Sequence, residues 1–138
     1  MRTDQLDDLS ATTGLGLGHR FVTALATKDR QALVGLFGAE VDFQAMTPRR
    51  SWEERTGAAV VDDVILGKWF DHEDVIDLVE SAGFGLVGSR HSLSYRVHVT
   101  NSDGRWLVEQ CAYLDITDGK ITWMRVLCSG YQPIESRD

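Results

Sequence analysis

His91 and Tyr95 are the two side chains best suited to proton chemistry in the alternating segment from Phe84 to Thr100. Successive side chains of a β-strand point to opposite faces of the sheet, so residues four apart share a face. A histidine there can act as a general base, and a tyrosine hydroxyl can orient a substrate oxygen. We therefore take His91 and Tyr95 as candidate catalytic residues. The alternative is a buried aromatic residue together with a strand-end histidine near the rim of the sheet.

Glu109 is a third candidate catalytic residue, and its role depends on the register of the segment from Trp106 to Ile116. Simple alternation places Glu109 on the outer face of the sheet, beside Arg96. A one-residue β-bulge would instead turn Glu109 and Tyr113 inward, where they could form an acid–base pair with His91. The sequence leaves both registers open.

The inner faces of the same segments supply candidate ligand-binding residues. Gln110 lies among apolar residues and, if buried, needs a hydrogen-bond partner such as a ligand carbonyl or a backbone group. Met124 and Cys128 share the inner face of the following segment, Ile121 to Ser129. A nucleophilic cysteine needs a nearby base, and only His91 is a plausible one. Inert burial is the more common state of a free cysteine.

Aromatic residues outside these segments complete the candidate pocket. Trp69 and Phe70 end the expected third helix, where they can line or close an apolar cavity. Trp52 lies within a basic stretch, and we include it among the ligand-binding candidates. Three arginines surround it: Arg49, Arg50 and Arg55. These arginines can guide an anionic or thioester-linked substrate to the pocket, although a solvated basic segment is the more common arrangement.

The sequence offers no recognisable metal or cofactor site. Cys111 and Cys128 are the two cysteines, and neither belongs to a CxxC or Cys/His spacing typical of metal binding. Adjacent residues such as those of the stretch from His72 to Asp74 do not make a preformed site. We therefore expect no metal ion and no cofactor.

Three long segments of alternating polarity position these candidates. They are Phe84 to Thr100, Trp106 to Ile116 and Ile121 to Ser129, separated only by Asn101–Gly104 and Thr117–Lys120. Asp-Gly between alternating runs is typical of tight hairpins. A meander of this length must curl, and its apolar face must be covered. We expect a curved sheet wrapped around helices, enclosing a pocket.

The first half of the chain predicts the covering helices and a first strand. Apolar residues recur at helical spacing from Leu17 to Ala26 and again from Ala32 to Phe37. Glu40 to Met46 alternates as a strand. Thr56 can cap a third helix, whose apolar stripe runs from Val60 to Trp69.

Length and composition indicate one ordinary globular domain. The chain has 138 residues, of which 43% are hydrophobic and 25% charged. Residues 1–12 read as a polar tail or frayed helix start, and residues 13–135 as a single domain. The stretch from Asp71 to Glu80 fits either a strand or a helical turn.

Charge and hydropathy exclude several classes of function. The formal net charge of −7 disfavours binding to nucleic acid or to an anionic membrane surface. No apolar run approaches the roughly 20 residues needed to span a bilayer. The N-terminus lacks the apolar core of a signal peptide. A cytoplasmic protein is expected.

Three stretches of the sequence resemble the nuclear transport factor 2-like superfamily and its SnoaL-like, polyketide cyclase-like members. Phe21–Asp29 with Ala32–Phe37 is similar to the opening helices, and Arg55–Ala59 to the start of the third helix. Asp118–Arg125 is similar to the last hairpin, where Asp-Gly-Lys-Ile is common. The resemblance implies an α+β cone, in which a curved mixed β-sheet wraps around N-terminal helices as in cystatin-like barrels.

The same resemblance argues against several activities of the superfamily. Its members include ketosteroid isomerases, polyketide cyclases, epoxide hydrolases, dehydratases and binding domains without activity. The tyrosine, the base and the acid of the isomerases fall on Phe21, on Ala45 and near Ala112. None of these residues can transfer a proton, so we reject the isomerase function. Cyclases that use the same acid, and epoxide hydrolases that use two acids and an arginine, lose support for the same reason. Phe21 remains a candidate ligand contact.

The outer sheet face carries large apolar side chains among charged ones. They are Leu107, Tyr113, Trp123 and Leu127. So many large apolar groups on an exposed face suggest an interface, and proteins that the chain resembles commonly dimerise there. We expect a homodimer through this face.

These observations predict a pocket protein for a small hydrophobic metabolite, which it binds and could cyclise, isomerise or dehydrate. The alternatives are a ligand-binding protein without catalysis and a dimerisation or interaction module. The missing carboxylates favour binding over catalysis, and the sequence does not name the ligand.

Overall fold

The computed structural model describes residues 14–134, which form three helical segments and a seven-stranded sheet. The helices are α1 (Gly14–Thr27), α2 (Arg30–Leu36) and α3 (Gly57–Ala59), the last of which continues as a π-helix (Val60–Trp69). The strands are β1 (Phe37–Thr47), β2 (Arg50–Thr56), β3 (Val75–Val87), β4 (Arg90–Asn101), β5 (Gly104–Thr117), β6 (Lys120–Cys128) and β7 (Gln132–Pro133). The acidic segment 1–12 lies outside the described residues, so the predicted domain boundaries stay predictions.

The sheet is mixed and curved. Its strand order is β2-β1-β6-β5-β4-β3, and β7 pairs with β5. β1 and β6 run parallel, whereas the other neighbours are antiparallel. The helices cover the concave face and complete one hydrophobic core. The predicted α+β architecture, a curved mixed sheet wrapped around helices, is confirmed.

Local side-chain contacts explain where the helices begin and end. Lys28 adopts a left-handed φ of 54° directly after α1, which stops that helix. Asp29 then accepts a hydrogen bond from the backbone N–H of Ala32 at 3.1 Å and so caps α2. Thr56 accepts one from the N–H of Ala59 at 3.2 Å and caps α3, as predicted. No helix within residues 14–134 is long and apolar enough to cross a membrane.

The alternation of buried and exposed residues follows the predicted faces. In β4, Leu93, Tyr95, Val97 and Val99 are buried. In β5, Val108, Gln110, Ala112 and Leu114 are buried, and in β6 so are Met124, Val126 and Cys128. β4 and β5 pair without a bulge, with Tyr95 opposite Gln110 and Arg96 opposite Glu109. Between β4 and β5 the register is therefore the one that simple alternation predicts. At the start of β6 the alternation is wrong: it places Ile121 on the outer face, but Ile121 is buried, beside a register shift between Asp115 and Ile116.

The prediction that the meander begins with a single long strand was wrong. The segment from Phe84 to Thr100 is not one strand, because β3 ends at Val87 and β4 begins at Arg90. Gly88, at φ 61°, forms the turn with Ser89. A Gly-Ser pair inside a long alternating run is a hairpin signal, and the meander has four strands rather than three. The stretch from Asp71 to Glu80, left open by its pattern, leads into β3.

Candidate functional site

A cavity of about 430 Å³ opens between the β1–β2 turn, the end of the π-helix and the segment around β7. Four residues of its wall were predicted to contact a ligand: Trp69, Phe70, Gln110 and Cys128. The wall also includes Val108 and Tyr131, and charged or polar groups lie at its edge. This volume lies within the range of small-molecule pockets, which are commonly apolar with a few placed polar groups.

Gln110 is a polar residue in the floor of the cavity. Only 1% of its surface is exposed, and its Oε1 accepts a hydrogen bond from the buried hydroxyl of Tyr95. Its Nε2 has no hydrogen-bond partner among residues 14–134. A buried amide nitrogen without a partner is costly, and such groups need an explanation in a folded protein. Because the Tyr95 hydroxyl binds the oxygen of the Gln110 side-chain amide, the nitrogen of that amide is the group left without a partner.

Trp69 supplies a second donor of the same kind. The residue is 8% exposed, and its indole Nε1 also lacks a partner in the described part of the chain. Its ring packs edge-on against Trp52 and at a tilt against Phe43, with centroids 6.1 Å apart in both pairs. Each unpaired nitrogen is shielded from bulk water and belongs to a side chain that lines the cavity. Two side chains of the wall therefore carry a buried N–H group that has no acceptor in the described part of the chain.

An unusual helix places Trp69 and Phe70 in the wall. Ten residues form π-helix, whereas most π segments in proteins are single turns that are frequent at functional sites. The N–H of Phe70 donates to the carbonyl of Ile65, five residues earlier, at 2.8 Å. A Cβ on Gly67 would lie 2.1 Å from the carbonyl oxygen of Asp62, so this position excludes any larger residue.

Tyr131 closes the cavity from the C-terminal side and was not predicted. Its hydroxyl contacts both the carbonyl oxygen of Trp69 and the carboxylate of Asp74. Burial, followed by the hydrogen bond to Asp74, raises the pKa of the Tyr131 phenol. Tyr131 directly precedes the two-residue strand β7, which is too short for an alternation pattern, so nothing in the sequence beyond the aromatic residue itself pointed to this position.

A polar network holds the segment behind Tyr131 in place. The carboxylate of Asp74, which is 8% exposed, also accepts from Nδ2 of Asn101 at 3.0 Å. Oδ1 of Asn101 in turn accepts from Nε1 of Trp106 at 3.0 Å. The ammonium of Lys28 donates to the backbone carbonyls of Asp71 and Asp74. Burial lowers the pKa of Lys28, because it penalises the charged ammonium. The side-chain carboxylates of Asp74 and Asp71 act in the opposite direction and raise this pKa.

The structure separates the three candidate catalytic residues. Tyr95 lies in the core beneath Gln110, and burial raises the pKa of its phenol. His91 is half-buried and pairs with Leu114, four residues and about 13 Å along the sheet from the row of Tyr95 and Gln110. Glu109 is exposed on the outer face opposite Arg96. The alternative in which Glu109 turns inward towards His91 does not occur.

Three of the ligand-binding candidates lie outside the cavity wall. Phe21 and Met124 are each 1% exposed within the core, where Phe21 packs against Tyr95 with ring centroids 6.1 Å apart. Trp52 supports Trp69 from behind, and its Nε1 donates to Oγ1 of Thr47 at 2.9 Å. It lines a separate cavity of about 530 Å³, formed with residues of β1, β2 and β6.

The titratable groups in the described cavity wall are those of Lys68, Cys128 and Tyr131, besides the arginine Arg49. Among residues 14–134, no carboxylate or imidazole lines it. Cys128 is 9% exposed and accepts a contact at its Sγ from the N–H of Gly130 at 3.4 Å, which is the environment of a structural thiol. No cluster that could hold a metal ion occurs in the same residues.

Comparison with known proteins identifies the fold. No family model and no curated protein matches the sequence. A structure from Bacillus subtilis, named as an isomerase, aligns over 84% of this chain and 86% of its own, with a TM-score of 0.70 and 11% identity. A protein from Mesorhizobium loti, named as a SnoaL-like polyketide cyclase, aligns over 83% and 97%, with a TM-score of 0.58 and 17% identity. An NTF2-like protein from Burkholderia xenovorans aligns over 84% and 88%, with a TM-score of 0.60 and 12% identity. The chain therefore has the nuclear transport factor 2-like fold that its sequence predicts.

Proposed function

We propose that this protein binds a small apolar molecule through an oxygen that accepts hydrogen bonds from Gln110 and Trp69. The observation that supports this proposal is that both donors belong to residues in the wall of one cavity and have no hydrogen-bond partner within residues 14–134. Apolar walls from Phe70, Val108 and Cys128 would hold the body of the ligand. A ketone, lactone or ester fits this arrangement, because each offers acceptors and no donor.

Binding without proton transfer is the function that the described groups support best. Cyclisation, isomerisation and dehydration each move a proton, and the wall contributed by residues 14–134 has no carboxylate or imidazole. Tyr95 holds its proton more tightly than a free tyrosine does, so it acts as a donor to Gln110 and not as a base. The fold alone does not decide between these functions, because it supports many chemistries.

Matched ligands test this proposal. We expect 2-acetylnaphthalene to bind in isothermal titration calorimetry about tenfold more tightly than 2-ethylnaphthalene, since one satisfied buried donor is worth about 1–1.5 kcal/mol. The double variant Tyr95→Phe/Gln110→Met removes the Gln110 donor and its orienting partner together, and should reduce the preference for the ketone, because only the indole N–H of Trp69 remains. Equal affinity of the wild-type protein for both compounds would show that the donors play no part.

A second proposal concerns the outer face of the sheet, where we infer a homodimer interface. Met46 and Leu127, both 61% exposed, are register partners on β1 and β6, and Tyr113 on β5 is 47% exposed. Leu127 also pairs with Cys111, so the apolar row crosses three neighbouring strands. Trp123 extends it, with the guanidinium groups of Arg90 and Arg125 stacked 3.6 and 4.5 Å from its ring centroid. A second copy of this chain would cover such a row.

A further inference from the structure

Two exposed cationic side chains line the cavity. Arg49 projects from the β1–β2 turn and Lys68 from the end of the π-helix, and both are exposed. They are the charged side chains of the described wall, and neither forms an ion pair within residues 14–134. Two unpaired positive charges beside an apolar cavity stand out in a chain whose net charge is −7.

The backbone of Arg49 is an independent sign that this side chain has a use. Thr47 pairs with Arg50 across the turn, so Pro48 and Arg49 are its central residues. Proline at the first central position is common in type I and type II turns, and in type II the second central residue has positive φ and is usually glycine. Arg49 adopts a φ of 76° there. A non-glycine residue in this conformation costs stability, and such strain is concentrated at functional sites.

The turn that carries Arg49 is held firmly over the cavity. Oγ1 of Thr47 accepts a hydrogen bond from Nε1 of Trp52 at 2.9 Å. On the other side, Gly130 packs so closely on Pro48 that a Cβ would lie 2.7 Å from the Cγ of its ring. Because the turn is anchored on both sides, the backbone that carries the Arg49 side chain has a fixed position at the edge of the cavity.

The buried carboxylate of Asp74 does not pair with either of these two cations. Asp74 is buried behind Tyr131, whose hydroxyl contacts its carboxylate together with the amide of Asn101. The ammonium of Lys28 lies against the same segment through the carbonyls of Asp71 and Asp74. The positive charge at the mouth therefore remains available to a ligand.

We propose that the ligand carries a carboxylate at the end opposite its carbonyl oxygen, and that Arg49 and Lys68 bind this carboxylate at the mouth of the cavity. This inference rests on the proposed function, because the carbonyl still meets Gln110 and Trp69. Arginine suits the role, since its planar guanidinium can bind both oxygens of a carboxylate, while lysine adds a point charge. The ligand class is an apolar oxo acid.

Matched acids and esters separate this inference from the proposal beneath it. Two pairs would be titrated by calorimetry: 6-acetyl-2-naphthoate with its methyl ester, and 9-oxodecanoate with its methyl ester. In each pair the ketone is constant and only the charge changes. We expect the acid of at least one pair to bind about tenfold more tightly than its ester, with the difference shrinking as salt is added.

Variants at the mouth assign the effect to its residues. Arg49→Gly relieves the positive φ, so the protein should fold at least as stably as the wild type, and Lys68→Gln is exposed. The double variant should bind the acid no better than the ester and leave ester affinity unchanged. Arg50→Gln is the matched control, because Arg50 stacks on Trp52 at 3.6 Å and does not line the cavity.

Three outcomes would go against the inference. Equal binding of acid and ester by the wild-type protein would overturn it and leave the proposed carbonyl site intact. An acid preference that survives in the double variant would remove Arg49 and Lys68 from the site. Failure of all four compounds to bind would overturn the proposed function as well.

Discussion

The hydroxyl of Tyr95 donates to Oε1 of Gln110, and this one contact decides which half of the amide is left for a ligand. The two residues face each other across β4 and β5, and Cys128 lies beside Gln110 on β6. Both partners are almost completely buried. The contact therefore has a structural role and a binding role, which different variants can separate.

We expect the Tyr95–Gln110 pair to be strongly coupled in stability. Tyr95→Phe or Gln110→Met alone leaves a buried polar group unpaired, which costs about 1–3 kcal/mol. The double variant replaces both groups with apolar ones and should be closer to the wild type than the sum of the single changes. Urea denaturation of the four proteins measures this. Additive losses would mean that the hydrogen bond carries no coupling.

Substitution of Gly67 should disrupt the π-helix. A Cβ there meets the carbonyl oxygen of Asp62 at 2.1 Å, so Gly67→Ala should lower the free energy of unfolding by about 1–3 kcal/mol. Gly35 in α2 is the matched control, because a Cβ there meets no atom within 4 Å. Gly35→Ala should raise stability by about 0.5–1 kcal/mol. Equal effects in denaturant would show that the close approach at Gly67 relaxes without cost.

Two buried tyrosines should reduce stability at alkaline pH. The folded-state pKa values of Tyr95 and Tyr131 are raised above the ordinary value of 10.0. Above pH 10 the unfolded chain loses these protons while the folded chain keeps them, so the unfolded state is favoured as pH rises. The contribution of each tyrosine is complete below pH 10 and is lost on the alkaline side.

Variants isolate this effect from other titrating groups. Tyr95→Phe should reduce the slope with which the free energy of unfolding falls above pH 10, by up to about 1.4 kcal/mol per pH unit. Tyr131→Phe should do so by less, because Tyr131 is only partly buried and its environment is more strongly screened. Lys28 acts in the opposite direction, since its folded pKa is lowered, so the informative quantity is the difference between variants. A slope that Tyr95→Phe leaves unchanged would contradict the prediction.

The proposed dimer predicts a sharp effect of charge on the outer face. Leu127→Asp places a carboxylate in the middle of the apolar row and should convert a dimer to a monomer in analytical ultracentrifugation. Ligand affinity should not change, since Leu127 points away from the cavity. A wild-type protein that sediments as a monomer would remove the proposed interface.

His91→Ala tests whether the ligand lies in the cavity or closer to His91. His91 does not line the cavity, so its loss should leave the affinity for 2-acetylnaphthalene unchanged in calorimetry. A large loss of affinity would place the ligand nearer to His91 than the structure suggests.

The sequence predicted the parts of this fold that follow from periodicity. The inward faces of β4, β5 and β6 and the cap at Thr56 could be deduced because alternation and capping are local properties. The π-helix could not be deduced, because the apolar stripe that ends at Trp69 has a spacing in the sequence that also fits an α-helix. The hairpin at Gly88 was missed because the residues on both of its sides continue to alternate.

Site residues were predicted less completely, for a physical reason. Trp69, Phe70, Gln110 and Cys128 meet at one cavity as expected, since each lies on a face that can be deduced from its own element. Tyr131 and Lys68 join them through tertiary contacts between distant segments, which no local pattern encodes. The unpaired donors of Gln110 and Trp69 are likewise a property of the assembled core.

Titration of the ¹⁵N-labelled protein with 2-acetylnaphthalene, followed by two-dimensional ¹H–¹⁵N NMR, tests the central claim most directly. The four tryptophans give separate indole signals, and those of Trp52 and Trp106 already have hydrogen-bond partners. We expect saturable downfield shifts of the Trp69 indole N–H and the Gln110 side-chain amide, with smaller changes at the other three indoles. A ligand that binds without moving these two signals would contradict the proposed site.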